Sequence, residues 1–337
     1  MMIEEFYFQL QTHMFHWFAY TRKLLEFIKT KRYRSPLILV DQAVSQKVYF
    51  EENFGKVSWA YPEVTFISLR GIEEPSYDYL DDVAGRVRQL KEVDFIVGIG
   101  GGSVLDMAKA MAVLQTNPGK GVEYRGFEKV KQLGIPTLLI PTTAGTASEV
   151  SINAVFTDKT EKKKLSINGH CMNATYAFLD AQWTMSCPLK VAVSAGVDAM
   201  VHTLGGFSSP KSNVVTCSFS QSTFDLLVEN LPCLRDVLDI TVKRQRLLVG
   251  GYLAGIALSN SGSGPAGALS YVIGVQYHVP HGIGGGIFIT SFMNYNIERG
   301  YVDYGLLLKH QQQNGASPNA MLLMWLNSWF RCKGSLT

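Results

Sequence analysis

Three successive glycines, Gly100, Gly101 and Gly102, followed by Ser103, constrain the fold of this chain more than any other feature. They come directly after the apolar run 95–99 and directly before the helix-like segment 104–109. The pattern predicts a buried strand, a tight glycine turn and a helix start. Such a turn lets the backbone approach an anion such as pyrophosphate, which the positive end of the helix dipole favours. A tight turn without a ligand is the alternative, because glycine turns are common in α/β proteins.

The first half of the chain alternates β-type runs with helical patterns, which is typical of a parallel sheet covered by helices. The expected strands are 36–40, 64–69 and 95–99, and the expected helices are 42–54, 77–90 and one starting at Ser103. Residues 151–157 and 164–168 predict a hairpin.

The pattern changes at about residue 181, after which long helical periodicities predominate. They lie at 191–204, 220–228 and 243–258. We therefore expect two domains, an α/β dinucleotide-binding domain over 1–180 and an all-α domain over 181–337.

Composition excludes several classes of protein. With 31 basic and 28 acidic residues the net charge is only +3, so nucleic acid is not an expected partner. The five cysteines form no C-x-x-C pair and predict reduced thiols in a cytoplasmic protein. The acidic start, and polar residues within the aromatic stretch 6–28, predict neither an export signal nor a membrane span.

Polar residues at two strand ends are candidate cofactor ligands. Asp41 follows the first strand, where a carboxylate could accept hydrogen bonds from a ribose diol and repel a 2′-phosphate, or could cap the next helix. The hydroxyl-rich loop 141–149 could bind phosphate, ribose or amide groups, or could be a simple turn. Its candidate residues are Thr142, Thr143, Thr146 and Ser148.

A metal site is the second chemical prediction. Asp198 and His202 are spaced i, i+4, so both side chains leave one face of a helix. Far downstream, His281 follows Pro280 at an expected helix start. One carboxylate with two imidazoles suits Fe²⁺ or Zn²⁺ with open positions for substrate. An intrahelical hydrogen bond between Asp198 and His202 is the alternative, and spacing does not show that the two segments meet.

Four ordered motifs make the chain resemble the iron-dependent alcohol dehydrogenases, which are relatives of glycerol dehydrogenase and dehydroquinate synthase. The motifs cover roughly residues 36–297 and comprise 100–109, 141–150, 196–202 and 279–282. The resemblance implies a dehydroquinate synthase-like fold, with NAD(H) and a metal in the cleft between the domains. It adds Asp106 and Lys164 as cofactor-binding residues, although Lys164 could equally be a solvated lysine of the run 162–164.

The chain departs from the family pattern at several positions. Gly267 stands where the family has another metal-binding His, and Tyr271 stands where it has a second cleft His. Gly205 and Gly206 occupy the place of a family Glu, and the chain ends early enough that we expect the last family helices to be wholly or partly missing. Residues 264–271 and 280–286 are similar to a sugar-acid branch typified by 3-deoxy-octulosonate 8-oxidase.

The resemblance implies NAD(H)-dependent interconversion of a primary alcohol and its aldehyde in a homodimer, and the similarity to the sugar-acid branch implies a sugar acid as the substrate. Asp198, His202 and His281 would hold the metal, and Tyr271 would orient the substrate or relay a proton, or would only pack. Two alternatives are a dehydroquinate synthase-type lyase, and a catalytically silent or truncated paralogue that binds NAD.

Overall fold

A parallel sheet forms the centre of the first half of the chain. The computed structural model describes residues 5–16, 23–55, 64–70, 74–90, 92–235, 238–301 and 303–308. The strands of the main sheet are β1 His13–His16, β2 Pro36–Asp41, β3 Thr65–Leu69, β4 Phe95–Gly100, β6 Thr137–Pro141 and β9 Tyr176–Leu179. They are arranged in the order β1-β9-β6-β4-β2-β3, and every neighbouring pair is parallel. The predicted sheet is confirmed.

Helices cover both faces of this sheet. They are α1 Leu24–Lys31, α2 Gln42–Ser45, α3 Val48–Phe54, α4 Tyr77–Val87 and α5 Gly102–Thr116. The expected helix over 42–54 is two helices, since residues 46 and 47 are not helical. α5 is buried around most of its circumference. The elements that pack against it are α4, β4, β6 and a further strand, Asn153–Asp158, of a smaller sheet. This burial explains why its apolar residues show little amphipathic periodicity.

A smaller sheet packs against α5. Its strands are β5 Gly126–Phe127, β7 Asn153–Asp158 and β8 Lys163–Asn168, in the order β5-β8-β7. β7 and β8 pair antiparallel, with Asn153 opposite Asn168, which confirms the predicted hairpin. Short 3₁₀ helices elsewhere are Gly121–Tyr124, His170–Met172, Ala181–Thr184, Pro232–Arg235 and Asp303–Leu308.

The second half is helical over its described residues. Its helices are α6 Leu189–Phe207, α7 Val214–Asn230, α8 Ile240–Ser261, α9 Gly264–Tyr277 and α10 His281–Glu298. α6 is at the centre and packs against each of the other four. A separate apolar core, which includes Val201, Leu204, Phe224 and Ile289, holds this part together. The expectation of an α/β part followed by a helical part is confirmed.

Two segments near the N-terminus have structure that the sequence did not predict, namely β1 and α1. The segment before β1 also reaches the helical part, where the Gln9 N–H donates to Asn260 Oδ1 over 2.8 Å. None of the helices in the described ranges has the length and apolar character needed to cross a bilayer. The expectation that the last family helices are wholly or partly missing after Thr337 stays a prediction, because residues 309–337 lie outside the described residues.

Candidate functional site

A cavity of about 2170 Å³ lies between the carboxyl ends of the main-sheet strands and the helical part. All the predicted site residues except Gly100 line it; they are Asp41, Gly101, Gly102, Ser103, Asp106, Thr142, Thr143, Thr146, Ser148, Lys164, Asp198, His202, Tyr271 and His281. Gly100 is the last residue of β4, at the edge of this cavity. Cavities at this edge of a parallel sheet are the usual ligand sites of open α/β folds.

The glycine turn joins β4 to α5 as predicted. Gly101 is the N-cap residue of α5 and makes no side-chain cap hydrogen bond, and Gly101, Gly102 and Ser103 line the cavity at the positive end of the helix dipole. A Cβ at Gly102 would lie 3.0 Å from Thr146 Oγ1, and a Cβ at Gly101 would lie 3.6 Å from Thr143 Oγ1. The glycines therefore let the hydroxyl-rich loop approach the helix start closely.

Two threonine hydroxyls in this loop support the cofactor prediction. Thr143 Oγ1 and Thr146 Oγ1 are buried and have no hydrogen-bond partner within the described structure. Both residues face the cavity beside the glycine turn. Because unpaired buried hydroxyls are unfavourable, a bound group with polar oxygens would satisfy them. The residues present fit a phosphate-containing nucleotide.

Asp106 and Ser148 are engaged with the protein itself. The Asp106 carboxylate accepts hydrogen bonds from Ser148 Oγ at 2.5 Å and from the Val155 N–H at 2.9 Å, and it pairs with Lys109 at 3.2 Å. These contacts join α5 to the hydroxyl-rich loop and to β7. Both residues still line the cavity, so a direct contact with a cofactor stays a prediction.

Asp41 has the capping role that was its alternative. Its carboxylate accepts a hydrogen bond from the Ala43 N–H at 2.7 Å and caps α2. The residue also lines the cavity, and a carboxylate has further acceptor capacity. Capping and ribose binding are therefore compatible in this geometry.

The three predicted metal ligands do meet. One ligand atom of each of Asp198, His202 and His281 lies within 4.8 Å of the others. Asp198 Oδ1 is 3.5 Å from His202 Nε2 and 3.7 Å from His281 Nε2. Asp198 and His202 are buried in α6, and His281 is the first residue of α10. A carboxylate and two imidazoles that converge in this way are a suitable donor set for a divalent cation.

Small residues allow this convergence. A Cβ at Gly282 would overlap the Ser194 carbonyl of α6 and lie 3.0 Å from Asp198 Cβ. Only glycine therefore permits α10 to approach α6 closely enough to bring His281 beside Asp198. Burial lowers the pKa of the His281 imidazole, and Asp198 opposes this effect. The lowered pKa favours the neutral imidazole, which is the form that ligates metals.

Tyr271 stacks on His281, with ring centroids 4.7 Å apart and an interplanar angle of 18°. Burial raises the pKa of its phenol far above the ordinary value, and the nearby Asp198 adds to this. The phenol is therefore protonated at neutral pH and can donate a hydrogen bond, but it is not a base. The packing alternative is satisfied by the stacking contact, whereas a catalytic role stays a prediction.

Lys164 is not a solvated lysine. Its side chain is only 7% exposed, and its Nζ pairs with Glu74 Oε1 at 2.5 Å. The same Nζ lies 6.0 Å from the centroid of the Tyr271 ring. Lys164 thus places a paired cation close to the candidate metal ligands, and no sequence pattern identifies Glu74 as its partner.

The departures from the family pattern have a structural explanation. A Cβ at Gly205 would overlap the backbone of Ser263, so the turn between α8 and α9 packs directly on α6 at this glycine. A Cβ at Gly267 would lie 3.3 Å from Ser263 Oγ. The turn therefore occupies part of the space beside the missing Glu and His positions, and Ser263 and Gly267 both line the cavity.

Comparison with known proteins identifies the family. The model of iron-containing alcohol dehydrogenases matches residues 15–181, and the model of the C-terminal part of Fe-containing alcohol dehydrogenases matches residues 192–324. The chain belongs to the iron-containing alcohol dehydrogenase family. Membership places it among enzymes that interconvert alcohols and aldehydes.

Individual relatives agree with this assignment. The chain is 29% identical over 282 residues to alcohol dehydrogenase 4 of Saccharomyces cerevisiae, covering 81% of this chain and 71% of the relative. It is 31% identical over 239 residues to 4-hydroxybutyrate dehydrogenase of Clostridium kluyveri, covering 70% and 64%. Lactaldehyde reductase of Escherichia coli is 27% identical over 283 residues, covering 82% and 72%.

Solved structures match the fold. A 1,3-propanediol oxidoreductase aligns with a TM-score of 0.88 at 22% identity, covering 98% of this chain and 86% of the other. An iron-containing alcohol dehydrogenase aligns with a TM-score of 0.80 at 27% identity, covering 96% and 87%. Sulfoacetaldehyde reductase of Bifidobacterium kashiwanohense, solved in complex with NAD⁺, aligns with a TM-score of 0.86 at 20% identity, covering 96% and 85%. These relatives do not support the lyase alternative.

Proposed function

We propose that this protein uses NAD(H) and a divalent metal, Fe²⁺ or Zn²⁺, to interconvert a primary alcohol on a sugar acid and its aldehyde. The observation that supports this most is the meeting of Asp198, His202 and His281 in the cavity that also contains the glycine turn. When bound, the cation polarises a substrate oxygen as a Lewis acid, and the nicotinamide accepts or supplies the hydride.

The residues of the chain have separate roles in this proposal. The positive end of the α5 dipole at Gly101 and Gly102, together with Thr142, Thr143 and Thr146, holds the cofactor phosphates and ribose. Asp41 favours NAD over NADP because its charge repels a 2′-phosphate. Tyr271, which stays protonated, donates a hydrogen bond to the substrate oxygen.

The sugar-acid substrate is supported by the cavity wall next to Gly267. Gly267 lines the cavity, and because Ser263 occupies part of the space beside it, a substrate group there would contact the Ser263 hydroxyl. Ser259, Ser263 and Lys211 line the same cavity, and the Ser259 Oγ is buried without a hydrogen-bond partner in the described structure. Hydroxyl groups suit a polyol, and the lysine suits a carboxylate.

The organisation of the protein in this proposal follows the sequence analysis. The domains are 1–180 and 181–337, a division supported by the last strand ending at Leu179 and α6 beginning at Leu189. The protein works as a cytoplasmic homodimer on small molecules. The four described cysteines, Cys171, Cys187, Cys217 and Cys233, are unpaired, which agrees with a reducing compartment.

The test measures metal and turnover in the same preparation. Protein purified without a tag is analysed for bound iron and zinc, and NAD⁺ reduction is followed with simple primary alcohols and with sugar acids. We expect about one metal per chain, turnover that prefers sugar acids, and loss of both metal and turnover in Asp198→Ala. A parent protein that binds NAD⁺ but has neither metal nor turnover would contradict the proposal and favour the silent paralogue.

A further inference from the structure

Ser270 makes an unusual pair of contacts beside the metal ligands. It lies in α9 and is 0% exposed. Its Oγ is 2.6 Å from the carbonyl oxygen of Gly267 and 2.6 Å from Nδ1 of His281. Both distances are those of short hydrogen bonds to a hydroxyl.

Counting protons determines the direction of both bonds. A serine hydroxyl has one proton, and a carbonyl oxygen can only accept. The Ser270 hydroxyl therefore donates to Gly267, because otherwise two oxygens would face each other at 2.6 Å with no proton between them. Since that proton is used, Ser270 must accept from His281, and Nδ1 of His281 must carry a hydrogen.

We propose that Ser270 is a positioning residue that holds His281 in the tautomer with its proton on Nδ1. The free electron pair is then on Nε2, the ring nitrogen that faces Asp198 at 3.7 Å. A ligating histidine commonly donates its other N–H to an acceptor, which fixes the ring and makes it a better ligand. The contribution to metal binding rests on the proposed function, whereas the tautomer does not.

His281 is held more firmly than its partner imidazole. The Tyr271 ring stacks on His281 and fixes the plane of its imidazole. The hydrogen bond to Ser270 fixes the orientation of the imidazole within that plane. In contrast, Nδ1 of His202 is buried and has no hydrogen-bond partner in the described structure. Removing the Ser270 hydroxyl would therefore leave both imidazoles without an acceptor for Nδ1–H.

Close packing limits which residue can fill this role. A Cβ at Gly284 of α10 would lie 3.2 Å from Ser270 Cβ, so α9 and α10 pack closely here. A longer polar side chain would have no room. Ser270→Ala is therefore the suitable test variant, because it removes the hydroxyl and adds no volume.

The first experiment reads the tautomer in metal-free protein. Imidazole ¹⁵N NMR, assigned with a His281→Gln variant, should show the His281 proton on Nδ1 in the parent and a substantial Nε2–H population in Ser270→Ala. Ser220→Ala, which removes another fully buried serine hydroxyl in α7, should leave His281 unchanged. A parent with the proton on Nε2, or the same tautomer in Ser270→Ala as in the parent, would overturn the proposal.

The second experiment measures Zn²⁺ affinity by competition with a chelator. We expect Ser270→Ala to bind Zn²⁺ about tenfold or more weakly, at the lower end of the range for such partners, and Ser220→Ala to bind like the parent. Equal Zn²⁺ affinity in Ser270→Ala and the parent would overturn the contribution to metal binding. A parent that binds no Zn²⁺ or Fe²⁺ would refute the proposed function instead, and the NMR result would still decide the role of Ser270.

Discussion

Replacing Gly282 by alanine tests the close approach of α10 and α6 that brings the candidate metal ligands together. The added Cβ would overlap the Ser194 carbonyl and lie 3.0 Å from Asp198 Cβ. Because the first of these neighbours is main chain, it cannot rotate aside, and the two helices must separate. The separation moves His281 away from Asp198. In the parent protein, His281 Nε2 lies 3.7 Å from Asp198 Oδ1.

Two opposing effects set the magnitude of the change in stability. Overpacking of this kind destabilises a fold by about 1–3 kcal/mol. Alanine in a helix recovers roughly 0.5–1 kcal/mol relative to glycine. We therefore expect Gly282→Ala to lose up to about 2.5 kcal/mol of unfolding free energy, and to bind Zn²⁺ at least tenfold more weakly because its ligands no longer converge.

The assays are urea unfolding of the metal-free protein and chelator competition for Zn²⁺. Gly85→Ala is the matched control, because it makes the same change in α4 at an exposed position with no atom within 4 Å of the added Cβ. The control should be as stable as the parent or slightly more stable, with unchanged Zn²⁺ affinity. If Gly282→Ala behaved like the control in both assays, the argument from helix approach would be refuted.

Four further predictions address the cofactor, the substrate and the pH dependence of stability. Gly101→Val should abolish NADH binding in a fluorescence titration by placing a side chain against the pyrophosphate, while its thermal unfolding temperature stays close to that of the parent. Unchanged NADH affinity would show that the glycine turn does not bind the pyrophosphate. Asp41→Asn keeps an oxygen that can cap α2 but removes the charge, so the ratio of kcat/KM values for NAD⁺ and NADP⁺ should fall, and an unchanged ratio would leave Asp41 with the capping role alone. Gly267→His should raise bound metal and lower turnover on sugar acids, because a fourth ligand fills the space proposed for substrate, whereas higher turnover would show that this space is not used. Burial raises the pKa of the Glu149 carboxyl to about 7 from its ordinary value of 4.5. The folded protein therefore takes up a proton that the unfolded chain does not, and stability falls as the pH rises from about 4.5 to above 7. Glu149→Gln should remove this loss, so its advantage over the parent in urea unfolding should grow between pH 5 and pH 8, and a constant difference would argue against a protonated Glu149.

Much of the α/β part was predictable because its signals are local. The apolar runs before residue 100 and the glycines after them lie next to each other in the sequence, and they form β4, the turn and α5 almost as expected. β1 was missed because its four residues, His13–His16, have no apolar alternation and depend on pairing with β9. The expected single helix over 42–54 was wrong because the break at residues 46 and 47 has no proline or glycine to mark it.

The candidate site also combines features that the sequence predicted with features that depend on tertiary packing. The sequence by itself determined that Asp198 and His202 share one helix face, because i, i+4 spacing is a property of the helix. It also identified His281, through a preceding proline and the family motif. Whether these residues meet was decided only by the tertiary structure, through glycines such as Gly282 whose missing side chains let α10 approach α6. The partners of the site, Glu74 for Lys164 and Ser270 for His281, carry no local signal, because their roles depend on distances between separate elements. Chain-local geometry follows from the sequence, whereas side-chain hydrogen bonds between elements exist only once the helices have packed.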